Sequence, residues 1–87
     1  MKIRTLKDTA KYMCSENYKE RFIAEYKQLY IRYEGLKKMV YNWDHGTLNF
    51  TPTCKREVYD DQLKAMEDYL IVLQKRAEVE EIDLTSK

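Results

Sequence analysis

Eight of the 87 residues are tyrosines, and their rings are the groups in this chain best suited to bind a planar ligand. Stacking of a nucleobase on an aromatic ring contributes about 1–3 kcal/mol per base and requires no particular base sequence. Cationic side chains close to such rings can pair with phosphates. The candidates on the predicted helices are Lys27, Arg32, Lys75 and Arg76. The competing interpretation is structural, with the tyrosines serving helix packing or a partly hydrated interface.

No arrangement typical of catalysis accompanies these residues. The sequence has no glycine-rich phosphate loop, no serine nucleophile elbow and no regularly spaced metal ligands. His45 lies between Asp44 and Gly46, which is typical of a histidine in a surface turn. Two cysteines with one histidine make a poor zinc set. We therefore expect a protein that is not an enzyme and that uses no metal or cofactor.

The overall charge also narrows the function. Sixteen basic residues stand against fifteen acidic ones, which gives no general attraction to DNA or to an anionic membrane. No apolar run approaches the roughly 20 residues that span a bilayer, and the N-terminus lacks the apolar segment of about 7–15 residues that a secretory signal needs. We expect a cytoplasmic protein with neither DNA nor membrane among its partners.

Apolar periodicity predicts two long helices in a single all-α domain covering residues 1–87. One helix, at about 53–79, repeats apolar residues at alternating steps of four and three along one seam: Tyr59, Leu63, Met66, Leu70, Leu73 and Ala77. The other, at about 17–42, has a matching seam: Phe22, Tyr26, Leu29, Tyr33, Leu36, Val40 and Trp43. Each seam needs a partner, so the two predict a long antiparallel hairpin.

Shorter segments flank this hairpin. A short amphipathic helix at about 5–14 is predicted from Ile3, Leu6, Ala10 and Met13. Thr5 and Asp8 fit a capping box at its start. The period is lost after Val79, so the tail 80–87 is predicted to fray.

Three further helix caps are assigned by residue type. Ser15 or Asn17 can cap the second helix, and Asn17 would form a capping box with Glu20. Thr51 or Thr53 is expected to cap the third helix.

The two cysteines are predicted to remain unpaired within one chain. Cys14 and Cys54 flank the first long helix, which is roughly 39 Å long at about 1.5 Å per residue. Bridged cysteines need Cα atoms within about 7 Å. An intrachain disulfide is therefore excluded if that helix is continuous.

More apolar residues are present than a hairpin can bury. A second stripe on the third helix comprises Val58, Ala65, Tyr69, Val72 and Val79, and the second helix adds Ile23, Tyr30 and Tyr41. A short N-terminal helix cannot cover both long helices. The surplus predicts a homo-oligomer.

From Asn17 onward the chain resembles a family of small tailed-phage proteins first noted among crAss-like phages. The resemblance covers about three quarters of the chain. In the first arm it rests on Tyr18, Arg21, Glu25, Tyr26, Leu29, Arg32 and Leu36. In the second arm it rests on Gln62, Leu63, Met66, Tyr69, Leu70, Leu73 and Arg76.

A weaker similarity extends to the phage sponge proteins that disarm the cyclic-oligonucleotide defence called CBASS. Tyr12, Lys27 and the pair Arg76-Ala77 match places in the sponge pattern, whereas Ala24, Glu25 and Tyr26 replace its glycine and asparagine. Sponge proteins are helical hairpins that hold cyclic dinucleotides at subunit interfaces without cleaving them. The resemblance implies that Tyr12, Lys27 and Arg76 bind a cyclic di- or trinucleotide in the host cytoplasm.

Two functions of different classes remain open from the sequence. The first is the cyclic-nucleotide sponge. The second is a protein that binds and inhibits a host defence or metabolic protein through its tyrosine-rich and valine-rich stripes. Nucleic-acid binding is a third, which the balanced charge disfavours.

Overall fold

The computed structural model describes residues 2–85, and within this range it contains three α-helices and no strand. They are α1 (Leu6–Met13), α2 (Tyr18–Asp44) and α3 (Arg56–Glu80). The predicted all-α fold of a short helix followed by two longer ones is confirmed. Each helix begins and ends within three residues of its predicted boundaries.

Helices α2 and α3 form an antiparallel hairpin. Side chains that hydrogen-bond across it advance along α2 as they recede along α3: Tyr18 with Glu80, Tyr26 with Gln74, Tyr33 with Glu67, and Asp44 with Arg56. Arg56 contacts both carboxylate oxygens of Asp44 at 3.0 Å, and it also pairs with Asp60 at 2.6 Å. This paired arginine closes the loop end of the hairpin.

The core lies between the two long helices and follows the predicted seams. Its buried members are Phe22, Ile23, Leu29, Met66, Leu70, Leu73, Ala77 and Ile82. Tyr26, Tyr33 and Leu36 are half-buried against this cluster. Leu73 is fully buried at the centre of α3, as its seam position predicts.

Helix α1 packs against α2, but it does not bury its apolar side. Thr9 is 1% exposed, whereas Leu6 is 46% exposed and Ala10 and Met13 are exposed as well. Burial of Thr9 leaves no unpaired hydroxyl, because Thr9 donates to the Leu6 carbonyl at 2.6 Å. An apolar strip on α1 therefore points away from the hairpin.

Two of the predicted caps are present. Thr5 and Asp8 form the predicted capping box, in which each side chain accepts a backbone N–H from the other residue. Asn17 caps α2 by accepting the N–H groups of residues 19 and 20. Glu20 does not complete a capping box, because its carboxylate accepts the hydroxyl of Ser15 at 2.6 Å instead.

The predicted cap of α3 is wrong. The helix begins after Lys55, three residues later than the start predicted at Thr53, and no side chain caps it. The chain from Thr47 to Lys55 instead remains in the loop. The first turn of α3 relies on Arg56 and its carboxylate partners.

The prediction of a frayed tail is also wrong over the described residues. Glu81 takes a left-handed conformation (φ 56°), which turns the chain so that the N–H of Ile82 donates to the Ala77 carbonyl at 2.9 Å. Ile82 is 7% exposed and belongs to the core, and Leu84 packs against it. The tail folds because these two apolar side chains reach the hairpin. Residues 86 and 87 of the predicted tail lie outside the described range.

Both cysteines are exposed free thiols, in agreement with the sequence. The predicted second stripe on α3 is exposed in the protomer, and Val79 at 83% exposure is its most open member. The predicted surplus of apolar surface is therefore real, although Ile23 is buried in the core rather than left uncovered.

Candidate ligand-binding site

A groove of about 450 Å³ lies where both ends of the chain meet the middle of α2. Ile3 and Arg4 form one wall and Leu84 of the tail contributes to the other. The floor is formed by α2 residues one turn apart: Tyr26, Lys27, Tyr30 and Ile31. Its volume falls in the range of about 300–1,000 Å³ typical of small-molecule sites. We call this the terminal groove.

Two tyrosine rings line the terminal groove side by side. Tyr26 and Tyr30 lie one helical turn apart, with ring centroids 6.3 Å apart and planes within 25° of parallel. Gln74 donates to the Tyr26 hydroxyl at 3.0 Å, which holds that ring from the opposite helix. Tyr30 is exposed. The pair offers an aromatic surface on which a planar ligand can stack.

Two cations stand beside these rings. Arg4 and Lys27 line the terminal groove and also an adjoining pocket of about 250 Å³, which Lys2 and Ile3 complete. Lys27 acts electrostatically on Asp83 in the tail. The pKa of Asp83 is lowered mainly by hydrogen bonds from Thr85 and in smaller part by the charge of Lys27. Aromatic faces with adjacent positive charge are the groups that a nucleotide requires.

Arg76 lies in a different groove, of about 310 Å³, between the hairpin and the end of α1. This second groove is lined by Met13, Tyr18, Arg21, Phe22, Glu25 and Arg76. Arg76 donates to the Tyr18 hydroxyl at 3.0 Å and pairs with Glu80 at 3.4 Å. Its guanidinium carbon lies 4.9 Å from the centre of the Phe22 ring. Arg76 is thus held in place by three protein groups.

The hydroxyl beside Arg76 is tuned by the same network. Tyr18 donates to Glu80 at 2.6 Å, and this hydrogen bond raises the pKa of Tyr18 above its ordinary value. The Arg76 guanidinium opposes that effect. Tyr18 therefore stays protonated at neutral pH and serves as a polar link between the two long helices. This arrangement is suited to binding and gives no activated nucleophile.

Tyr12 lines neither groove. It lies half-buried on α1, with the Lys11 Nζ atom 5.5 Å from the centre of its ring. The structure of one protomer therefore places Tyr12, Lys27 and Arg76 at three separate positions. A single pocket that used all three would have to draw them from more than one protomer.

Sequence reasoning missed several residues of the terminal groove. Tyr26 was assigned to the hairpin seam alone, and Arg4 and Leu84 were assigned no role. The spacing of Tyr26, Lys27 and Tyr30 on one helical face was available as a signal. The arrival of Arg4 and Leu84 at that face was not, because it depends on how two chain ends fold.

Other site types receive no support within residues 2–85. This range contains no group of three or more His, Cys, Asp or Glu side chains placed to hold a metal ion. None of its helices is both long enough and apolar enough to cross a membrane.

Comparison with known proteins gives one match. A family model described as Sequestin matches residues 16–79, which is most of the chain and includes all of α2 and nearly all of α3. The match contains Tyr26, Lys27, Tyr30 and Arg76, whereas Arg4, Tyr12 and Leu84 lie outside it. No curated protein and no solved structure matches the chain.

Proposed function

Because the chain belongs to the Sequestin family, we propose that it sequesters a small anionic ligand, and specifically that it is a phage anti-defence protein that binds cyclic di- or oligonucleotide immune signals without cleaving them. The family name itself suggests sequestration of a ligand or a partner. The protein would act in the host cytoplasm as a homo-oligomer. It would lower the free concentration of the signal by affinity alone, so it needs no catalytic group.

The observation that carries this proposal is the terminal groove. A cyclic dinucleotide presents two base faces and two phosphate charges, and the groove supplies the stacked rings of Tyr26 and Tyr30 beside Arg4 and Lys27. In this assignment a base stacks on Tyr30 and a phosphate meets Lys27 and Arg4. The family resemblance adds Tyr12 and Arg76, which would reach the ligand from a neighbouring protomer.

The proposal is tested by calorimetry with a panel of cyclic di- and trinucleotides. Lys27→Ala and Tyr30→Ala should each weaken binding by at least tenfold, since one stacked base contributes about 1–3 kcal/mol. Lys19→Ala and Tyr41→Ala are matched controls, because both replace exposed residues of α2 that do not line the groove. The ligand should be recovered intact after the protein is denatured.

Two results would contradict the proposal. One is the absence of binding to every member of the panel. The other is equal affinity in Lys27→Ala and Lys19→Ala, which would move the ligand away from the terminal groove. Tyr12→Ala and Arg76→Ala extend the series, because loss of binding there supports a site shared between protomers.

The exposed stripe on α3 favours a second candidate function, inhibition of a host defence or metabolic protein. Tyr69, Val72 and Val79 are all exposed and lie on one side of the helix. Apolar and aromatic residues of this kind are typical anchors of protein interfaces. Under this alternative, Val72→Asp should abolish inhibition of the host protein, while no cyclic nucleotide would produce heat in calorimetry.

A further inference from the structure

The outward side of α1 is an apolar strip edged with positive charge. Leu6, Ala10 and Met13 form the strip, and Lys7 and Lys11 border it, all of them exposed. Residues 2–14 carry four basic side chains and one acidic side chain. Nothing within the protomer covers this strip, so its apolar area remains in contact with water.

Helix α3 has the complementary features. Its exposed stripe of Tyr69, Val72 and Val79 is apolar, and the helix carries seven acidic side chains against four basic ones. Asp61 and Asp68 are exposed on the same side of the helix as the stripe. The stripe from Tyr69 to Val79 is about 15 Å long and the strip on α1 is about 10 Å long, at about 1.5 Å per residue. The two surfaces therefore match in length, polarity and charge.

Both surfaces border the second groove. Met13 at the end of α1 and Arg76 on α3 line it together, and Glu25 in the same groove accepts a hydrogen bond from Tyr69. A second copy that approaches this side by a twofold rotation meets both surfaces at once. Pairing α1 with α1 would instead bring together the lysines of both strips, and that repulsion disfavours it.

We propose that two copies of this chain associate through this side, with the α1 strip of each copy packed on the α3 stripe of the other. This inference rests on the proposed homo-oligomer and names its contact. Apolar area on both surfaces would be removed from water, and the lysines of α1 would face the aspartates of α3.

Charge reversal tests this pairing by sedimentation velocity at micromolar concentration. The wild-type chain should sediment at twice the protomer mass or more. Lys7→Glu with Lys11→Glu, and separately Asp61→Lys with Asp68→Lys, should each shift the protein toward the protomer. The four changes combined in one chain should restore the assembly, because the two charges then exchange places.

Mixing provides a second readout. The α1-reversed and α3-reversed chains should form a heterodimer when mixed, because their reversed surfaces are oppositely charged to each other while their unchanged surfaces still match. Lys19→Glu with Lys38→Glu, which alters two exposed lysines of α2, is the matched control and should leave the mass unchanged. Circular dichroism of each variant verifies that the helices are retained.

Three outcomes would overturn the inference: a wild-type chain that sediments as a protomer, an α1-reversed chain as large as the wild type, or a protomer that binds vesicles of anionic lipid through α1. Nucleotide calorimetry on the same samples separates this inference from the proposed function. Loss of the pairing with retained binding in the terminal groove would refute the contact alone.

Discussion

Glu81 is the described residue, apart from glycine, that has a positive φ, and it shows how one residue sets the course of the tail. A left-handed conformation costs a residue with a Cβ roughly 1–2 kcal/mol, and a carboxylate at a helix C-terminus also opposes the helix dipole. Glu81→Gly should therefore raise the free energy of unfolding by about 0.5–1 kcal/mol, after allowance for the greater chain entropy of glycine. Urea denaturation measures the change.

Glu78→Gly is the matched control for that experiment. Residue 78 lies within α3, where glycine should lower the free energy of unfolding by about 1 kcal/mol. Opposite signs at two positions three residues apart would establish that the turn at Glu81 folds the tail. Equal destabilisation by both substitutions would contradict it.

Individual core residues were the most predictable part of the structure. Phe22, Leu29, Leu70 and Leu73 are buried because a helical period of 3.6 places them on one seam, and that period is visible in the sequence. Ile82 is equally buried, yet no period predicts it, because it follows the end of α3. Its position depends on a turn made by a residue type that rarely adopts that conformation.

Helix α1 depends on its capping box, and this makes its stability sensitive to acid. The Asp8 carboxylate accepts the N–H groups of Arg4 at 2.9 Å and Thr5 at 3.1 Å, which lowers its pKa below the ordinary 3.8. A lowered pKa in the folded state stabilises the folded form above pH 3.8. That contribution is lost as the pH falls through the folded value.

We therefore expect α1 to loosen below about pH 4 while the hairpin remains helical. Because Arg4 leads into this cap and lines the terminal groove, ligand affinity should fall over the same pH range. Asp8→Asn should remove this pH dependence from α1, as monitored by the amide resonances of residues 5–9. An unchanged acid transition in Asp8→Asn would contradict the role of the cap.

The start of α3 offers an element whose stability can be improved. Lys55 occupies the N-cap and accepts no N–H group through its side chain. Lys55→Asp should stabilise the protein by about 1 kcal/mol, because an Asp oxygen can cap the first turn and its charge suits the helix dipole. Lys55→Ala removes the same positive charge without adding a cap, and it should give less than half of the gain in thermal unfolding.

The errors at the element scale share one cause. Thr53 has the right residue type for a cap, but the chain between Thr47 and Lys55 stays in the loop, where Arg56 ties the start of α3 to Asp44 and Asp60. Likewise, the apolar spacing of α1 predicted its helicity but not which side it would bury. Residue type predicts that a helix forms, whereas tertiary contacts decide where it starts and which side packs.

At the scale of the whole molecule, the hairpin was predictable and the terminal groove was not. The two long helices need local periodicity and one short loop. The groove instead requires Arg4, Lys27 and Leu84, which are separated by most of the chain, to meet on one face of α2. Both walls are contributed by chain ends that lie outside the part of the chain matched by the family model.

A ligand in the terminal groove should therefore hold both ends of the chain against α2. We expect a bound cyclic dinucleotide to slow amide hydrogen exchange at residues 3–6 and 82–84, since binding favours the state in which both walls are closed. The loop at residues 47–54 is the internal control, because it lies at the opposite end of the hairpin and should exchange at an unchanged rate. Protection confined to residues around Tyr18 and Arg76 would instead place the ligand in the second groove, and the tail would then be free of any part in binding.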